Sequence, residues 1–471
     1  MVRRLLVIPR GDSVLRFRGC EGMLDRPAEK LGMNKAPSEA IDAPGMEPVV
    51  GFQPAQSRSL LNYMRYCDPV MMFMWVVSTT LLFAWLAPVR YLAAFYFAGA
   101  LFLLARQTMP VVARCWPLFL LPILCTTSAL WAPSSDEALR KGLGLALTGV
   151  IAIYAATRLS GRQILLAYFA VELIAAVMSA AMPLVIDGSW AGIFGQKNFY
   201  ALHMFFLFVS SLALALDSGT NRWLRAFATI VVPFSVFMVL MAKSGTITVL
   251  LLGASVLMIG QVFLWQPTSR IRHGRTLLVL MLTIAGLIVA YVLFAILQID
   301  LTEEVLGALG KDSTLTGRTM LWQLAEHAMA EHPLTGLGAN GFWRQESGVA
   351  NGVAQSMGFE RLIIFNFHNA YYENGVNYGY PGMFATMLLA AWALGSSALT
   401  WLRNQSVINA AFLILASMIV LRTTSEADLA SEYSGTSVLL FIAAARKEWR
   451  PKRVAQPASI AAPAPLVRAR T

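Results

Sequence analysis

The sequence predicts an all-α, polytopic integral membrane protein with about twelve transmembrane helices and one large outer loop. Three observations point there. Of 471 residues, 57% are hydrophobic and only 13% are charged, against roughly 25% charged in soluble domains. Mean hydropathy is +0.60. The apolar runs are continuous rather than alternating, and each reaches about 17–25 residues, which suits helices and not a barrel.

Twelve candidate spans lie near 69–87, 91–106, 115–132, 142–158, 164–186, 198–216, 223–241, 245–265, 277–297, 381–401, 406–422 and 433–446. Arg and Lys orient them. With the N-terminus inside, the inside connections hold Arg106 and Arg114, Arg158 and Arg162, Arg222 and Arg225, Arg270, Arg272 and Arg275, and Arg403. The end of the chain adds Arg446, Lys447, Arg450, Lys452 and Arg453. This bias follows the positive-inside rule, and it accounts for the net charge of +11 without invoking nucleic acid. No aromatic-basic groove of the single-strand-binding kind is visible. Basic residues expected outside are sparser: Arg90, Arg140, Lys141, Lys197, Lys243, Lys311, Arg318, Arg344, Arg361 and Arg422. Each is an exception to the bias and raises a functional question.

The expected organisation is therefore a cytoplasmic, disordered N-terminal tail over 1–68, spans one to nine over 69–297, and an outer loop with short helices over 298–380. Spans ten to twelve follow over 381–446, then a cytoplasmic tail over 447–471. The N-terminus carries basic residues, but its apolar run LLVI is too short for a secretory signal, and Met23, Met33 or Met46 could be the true start. Cys20, Cys67, Cys115 and Cys125 fall in no CxxC or zinc-ligand spacing. Loops beyond about 12–15 residues are uncommon in compact folds unless functional, so 298–380 is the place to look for chemistry.

Three outer stretches stand out, with a fourth of less weight. In GIFGQKNFYALHMFF, residues 192–206, two glycines precede Lys197 and Asn198 at a helix start. This is either a snorkelling lysine with an asparagine cap or an anion site on free N–H groups and the helix dipole. In TLTGRTMLWQLAEHAMAEHPLTGLGANGFW, residues 314–343, Thr316 or Thr319 caps an amphipathic helix that runs to about Glu331, ended by Pro333 and Gly336. Arg318 near that helix start opposes the dipole, which points to an anionic partner. GLGANG in the same stretch matches GxGxxG but follows a helix and Pro333, not a strand, so the dinucleotide reading fails. His327 and His332 are spaced i, i+5, against the i, i+4 of a zinc helix.

The third stretch, FNFHNAYYENGVNYGYPG, places His368 and Asn369 before a short segment, AYYENGV, with Pro381 in the first turn of the next span. His368 is either an interfacial histidine bonded to a carbonyl or a general base, since imidazole titrates near neutrality. In MAKSGTIT, residues 241–248, Lys243 either snorkels or binds a ligand.

Five blocks carry a resemblance: GIFGQKN, KSGT, TGRTMLW, HPLTGLGANGFW and HNAYYENGVNYGYPG. In this order, and across about residues 140–400, the chain resembles the O-antigen ligase/polymerase family (Wzy-C type), closest to the exopolysaccharide polymerases of the ExoQ type. The resemblance implies an inner-membrane enzyme with both termini cytoplasmic and its site on the periplasmic side. Such enzymes transfer an oligosaccharide en bloc from undecaprenyl pyrophosphate to an acceptor glycan, with no cofactor, metal or nucleotide. It implies that His368 is the base and Arg318 a pyrophosphate ligand, with Lys197 where a basic residue is expected. A lysine lacks arginine's bidentate fork, a departure that looks more like the polymerase branch. Lys243, Asn198, Asn369, Glu373 and Tyr372 complete the expected substrate-binding set. Asn369 or Glu373 would orient His368 or bind sugar, while Tyr371, Tyr372, Trp322 and Trp343 either stack on sugar rings or form an interfacial belt.

The expected partners are the lipid-linked oligosaccharide, the acceptor glycan, the bilayer and other polysaccharide-export proteins. Attack opposite the leaving group implies inversion. The chain contains no DxD, the motif of metal-bound nucleotide-sugar donors. Two rivals remain: a ligase transferring the glycan to lipid A-core, and a multispan transporter of an anionic substrate. Against transport, the longest loop follows the ninth span rather than the sixth, and no repeat between halves is evident.

Overall fold

The computed structural model describes residues 55–81, 83–186, 188–291, 318–344, 346–356 and 366–446. The expectations for residues 1–54, for Thr316, Lys311 and Arg361, and for the tail from 447 lie outside the described residues. In chain order the helices are α1 Ala55–Thr80, α2 Ala84–Leu103, α3 Ala105–Arg114, α4 Leu120–Thr127 and α5 Ser135–Arg158. Next come α6 Gly161–Ala181, α7 Lys197–Leu216, α8 Arg222–Met241, α9 Gly245–Thr268 and α10 Gly274–Tyr291. The set closes with α11 Arg318–Glu331, α12 Gly348–Ser356, α13 Ala370–Arg403, α14 Val407–Arg422 and α15 Gly435–Ala445.

The protein is an all-α, multi-pass membrane protein. Among the described residues, seven helices are long and apolar enough to cross a bilayer: α2, α5, α6, α7, α8, α9 and α13. An eighth crossing results if the pair Ala105–Arg114 and Trp116–Leu130, bent by 84°, counts as one. Each of the twelve expected runs overlaps a helix, yet by length and composition the described crossings number seven or eight. The ninth run lies partly outside the described residues, and other differences have physical causes. α14 and α15 have 16 and 11 residues, below the ~20 that a bilayer asks of a straight helix. The third run, helical over Trp116–Leu130, is itself short and meets Ala105–Arg114 at the 84° bend around Cys115.

Helix α1 starts at Ala55, upstream of the apolar run expected from 69, and carries Pro69 inside it. Asp68 is 1% exposed there. Its carboxylate accepts from Tyr96 Oη and Tyr154 Oη at 2.8 Å each and from Arg158 Nε at 3.0 Å. A charge in a helical bundle is tolerated when paired in this way. At the centre lies α7, whose KNFYALHMFFLFVSSLALAL sequence is apolar on all faces and is buried on nearly all of them. That pattern marks a core helix rather than a surface one.

Helix α13 positions the candidate site. Asn369 caps it, its side chain accepting from Tyr371 N at 2.9 Å and Tyr372 N at 3.3 Å. The helix breaks at Tyr378 and Gly379, the latter with φ 69°. Pro381 cannot donate to the turn above, so the break leaves carbonyls to satisfy. The glycine-rich segment after α11 satisfies them: Leu337 N donates to Val376 O and Gly338 N to Asn377 O, both at 2.9 Å. In return Tyr380 N donates to Pro333 O at 2.8 Å. GLGANG is thus a backbone-to-backbone dock. Gly336 is required because a Cβ there would stand 2.5 Å from the Asn377 carbonyl carbon.

Around this dock a second small core forms from Leu321, Ala325, Met329, Phe342, Phe367 and Val376. It is fastened to the α4–α5 corner by Trp131 Nε1 donating to Thr335 O at 3.1 Å and Asn340 Nδ2 to Glu137 Oε1 at 2.6 Å.

Gly379→Ala tests the dock. The added Cβ would lie 2.5 Å from Pro333 O on a backbone at φ 69°, so the variant should lose about 1–3 kcal/mol. Thermal unfolding in detergent, with limited proteolysis between residues 332 and 343 as a local readout, checks it.

Candidate functional site

Helices α7, α9, α11 and α13 begin, and α14 ends, at one end of the bundle. After Arg422 the chain turns through residues 423–434 before α15, and this turn is sewn to the start of α13. Ala370 N donates to Thr423 O at 2.9 Å, Thr423 Oγ1 to Tyr371 Oη at 3.2 Å, and Asn369 Nδ2 to Thr424 O at 3.4 Å. The stitching brings Glu426 against His368.

Glu426 is the junction of the cluster. One oxygen faces His368 Nδ1 at 3.4 Å. The other accepts from Asn198 Nδ2 at 3.0 Å and faces Arg318 Nη2 at 3.6 Å. Asn198 in turn accepts from Ser244 Oγ at 3.3 Å. Below this layer Arg422, 4% exposed, is ion-paired with Asp428. Burial alone would raise the pKa of Glu426. The hydrogen bond from His368 and the charges of Arg422, His368 and Arg318 outweigh burial and hold its carboxyl below the usual glutamate range. Burial does push the Asp428 carboxyl up, against the charge of Arg422.

The structure brings together His368, Arg318 and Asn198, and with them Ser244 of the KSGT block. His368 sits on a left-handed backbone, φ 48°, a costly conformation for a non-glycine residue. It is held by His368 N donating to Asn366 Oδ1 at 2.8 Å and by the Asn369 cap that follows. Arg318 opens α11 as expected, but the anion that answers it here is the protein's own Glu426. Asn198 is not the cap of α7; that position belongs to Gln196, which makes no side-chain cap bond.

Lys197 and Lys243 are both exposed, each one residue from the hydrogen-bonded Asn198–Ser244 pair. Lys243, like His368, has φ 48°. Two cations and an α7 N-terminus without a side-chain cap therefore stand beside the cluster without entering it.

The remaining expected residues act on the scaffold. Asn369 caps α13. Glu373 accepts from Phe367 N at 3.0 Å and Asn377 Nδ2 at 3.4 Å, fixing the backbone just before His368 rather than its ring. Tyr372 donates to Glu326 at 2.7 Å and stacks on Trp322 with centroids 6.0 Å apart. Trp343 packs on Phe342 and Phe367. His327 pairs with Glu331 on the exposed face of α11, at 3.4 Å.

Glu426 is the residue that sequence reasoning missed. A signal existed: the short stretch TTSEADLASEYSG between two apolar helices holds three carboxylates, Glu426, Asp428 and Glu432.

Comparison with known proteins follows this geometry. The O-antigen ligase family model matches residues 228–387. The chain is 26% identical over 340 residues to the exopolysaccharide production protein ExoQ of Rhizobium meliloti, a match that covers 70% of this chain and 76% of that protein. Both agree with the family resemblance, the family match covering four of the five sequence blocks because GIFGQKN precedes residue 228, and both support a polysaccharide polymerase or ligase role. Glu426 lies beyond the matched 228–387 region.

A pH prediction rests on Glu426. Its folded pKa is depressed, so its stabilising share is complete above the unfolded value of about 4.3 and is lost as pH falls through the lower folded value. Thermal unfolding of the wild type should drop across that acidic window, and Glu426→Gln should flatten this part of the profile.

Proposed function

We propose, from the O-antigen ligase resemblance as premise, that the chain polymerises polysaccharide repeat units by en bloc transfer from undecaprenyl pyrophosphate to an acceptor sugar hydroxyl. The observation that carries the reading is the convergence of His368, Arg318 and Asn198 on one carboxylate at one end of the helix bundle. These side chains come from three separate segments, and exposed Lys197 and Lys243 lie alongside.

In this reading His368 takes the proton of the acceptor hydroxyl. With Nδ1 facing the ionised Glu426, Nε2 is the nitrogen that receives it. The oxygen attacks the anomeric carbon from the side opposite the leaving group, and the configuration inverts. The bond to the pyrophosphate oxygen breaks, and its electron pair leaves with the lipid pyrophosphate. Arg318, Lys197 and Lys243 stabilise the charge that grows there. Imidazole and three cations suffice for these proton and charge movements. The site would lie on the periplasmic face of the inner membrane, with both termini cytoplasmic.

Transfer to lipid A-core, the ligase outcome, uses the same donor and the same residues and differs only in acceptor. Similarity to an exopolysaccharide production protein favours the polymerase. In a deletion strain, loss of long chains from every fraction fits a polymerase, and accumulation of unattached lipid-linked polymer fits a ligase.

His368→Ala should insert normally and lose about 10²–10⁴-fold in turnover. Arg318→Ala should raise the donor concentration needed for half-maximal rate. Reconstitution with purified lipid-linked oligosaccharide, without metal or nucleotide, measures both. Normal-length product from the His368 variant removes the base assignment, and unchanged donor saturation makes Arg318 structural.

A further inference from the structure

We infer that Glu426 is the positioning residue of the reaction: it sets the tautomer of His368, and it is released to do so when the donor's pyrophosphate takes Arg318. The inference rests on the function proposed above. An ionised carboxylate can only accept hydrogen bonds. Glu426 is held ionised by its neighbours, so the imidazole nitrogen that faces it, Nδ1, must carry the hydrogen. Nε2 is then the basic nitrogen, and the imidazolium formed on proton transfer is stabilised from behind, the logic of a base oriented by a buried acid.

The second half follows from sharing. The same carboxylate serves Asn198 at 3.0 Å, His368 at 3.4 Å and Arg318 at 3.6 Å. Among the described residues, Arg422 and Asp428, paired with each other, are the further charged groups beside it. A pyrophosphate carries more negative charge than a carboxylate and fits a guanidinium fork in two-point fashion. When Arg318 turns to it, Glu426 loses one cation and is left to Asn198, Arg422 and His368. Attraction for a proton on the imidazole rises at the moment a donor is in place. The proton goes from acceptor hydroxyl to Nε2, the new C–O bond forms at the anomeric carbon, and the C–O bond to pyrophosphate breaks.

The test is a double-mutant cycle on full-length protein in nanodiscs, with undecaprenyl-pyrophosphate-linked oligosaccharide as donor. Glu426→Gln should lower kcat about 100-fold or more and leave the donor KM unchanged or lower, since Arg318 loses a competing anion. The acidic limb of the kcat–pH profile should move to lower pH. In a His368→Ala background the same substitution should cost nothing further, because Glu426 acts through the imidazole. Glu426→Asp, which keeps the charge but withdraws it by one methylene, should retain the wild-type limb at a kcat lowered about 10-fold; it replaces Gln in the cycle if that variant does not insert.

Three results overturn the inference while leaving the proposed function standing: wild-type kcat in Glu426→Gln, a raised donor KM at unchanged kcat, or an equal loss in the His368→Ala background. Full activity of His368→Ala alone would instead remove the base assignment, and the inference with it.

Discussion

The end of the bundle that carries the candidate site depends on one buried carboxylate answering several donors. Glu426 meets a histidine from the turn before α13, an arginine from the start of α11 and an asparagine from the start of α7. Each donor sits on a different element, so the carboxylate is both the electrostatic centre and the tie between them. Left unpaired at that depth it would be costly. Its partners hold its carboxyl below the usual glutamate range, and in the proposed reaction that charge selects which imidazole nitrogen acts as a base. Stability of this region and the proposed proton transfer therefore depend on the same contact.

What keeps the partners in place is mostly backbone. The break in α13 frees carbonyls, and the segment after α11 turns its glycines towards them. That exchange fixes α11 against α13, and with it the distance between Arg318 and His368. Asn369, Glu373 and Tyr372 work at the same level: a cap, a loop anchor and a strut to Glu326. They shape the backbone on which His368 stands.

The helical membrane class and the positions of the apolar runs were legible because hydrophobic length is a local property. The crossing count was less so, since a helix of 11 residues such as α15 and a bend of 84° look like ordinary apolar runs. His368, Arg318 and Asn198 could be named from turn chemistry and charge placement. Their shared partner could not, because Glu426 approaches them only through tertiary folding, from a stretch beyond the motif blocks. The same limit hid the internal partner of Arg318. A cation at a helix start does call for an anion, and the fold supplies one internally. Of the two readings of Asn198, cap or part of an anion site, the cap falls away, since Gln196 holds that position and the Asn198 amide reaches Glu426 in the turn after α14.

The interruption at Tyr378–Gly379 divides α13 into two mechanical parts. The long stretch towards Arg403 is apolar and is tied to the end of α15 by Ser397 Oγ donating to Ala443 O and Thr400 Oγ1 to Arg446 O. The short stretch from Ala370 is gripped by the α11 lobe and by the turn after α14. The segment after α11 bridges that interruption, with Leu337 N and Gly338 N bonded to carbonyls before it and Tyr380 N bonded to Pro333 O after it, so one short glycine-rich strap splices the two parts and anchors the turn that carries His368.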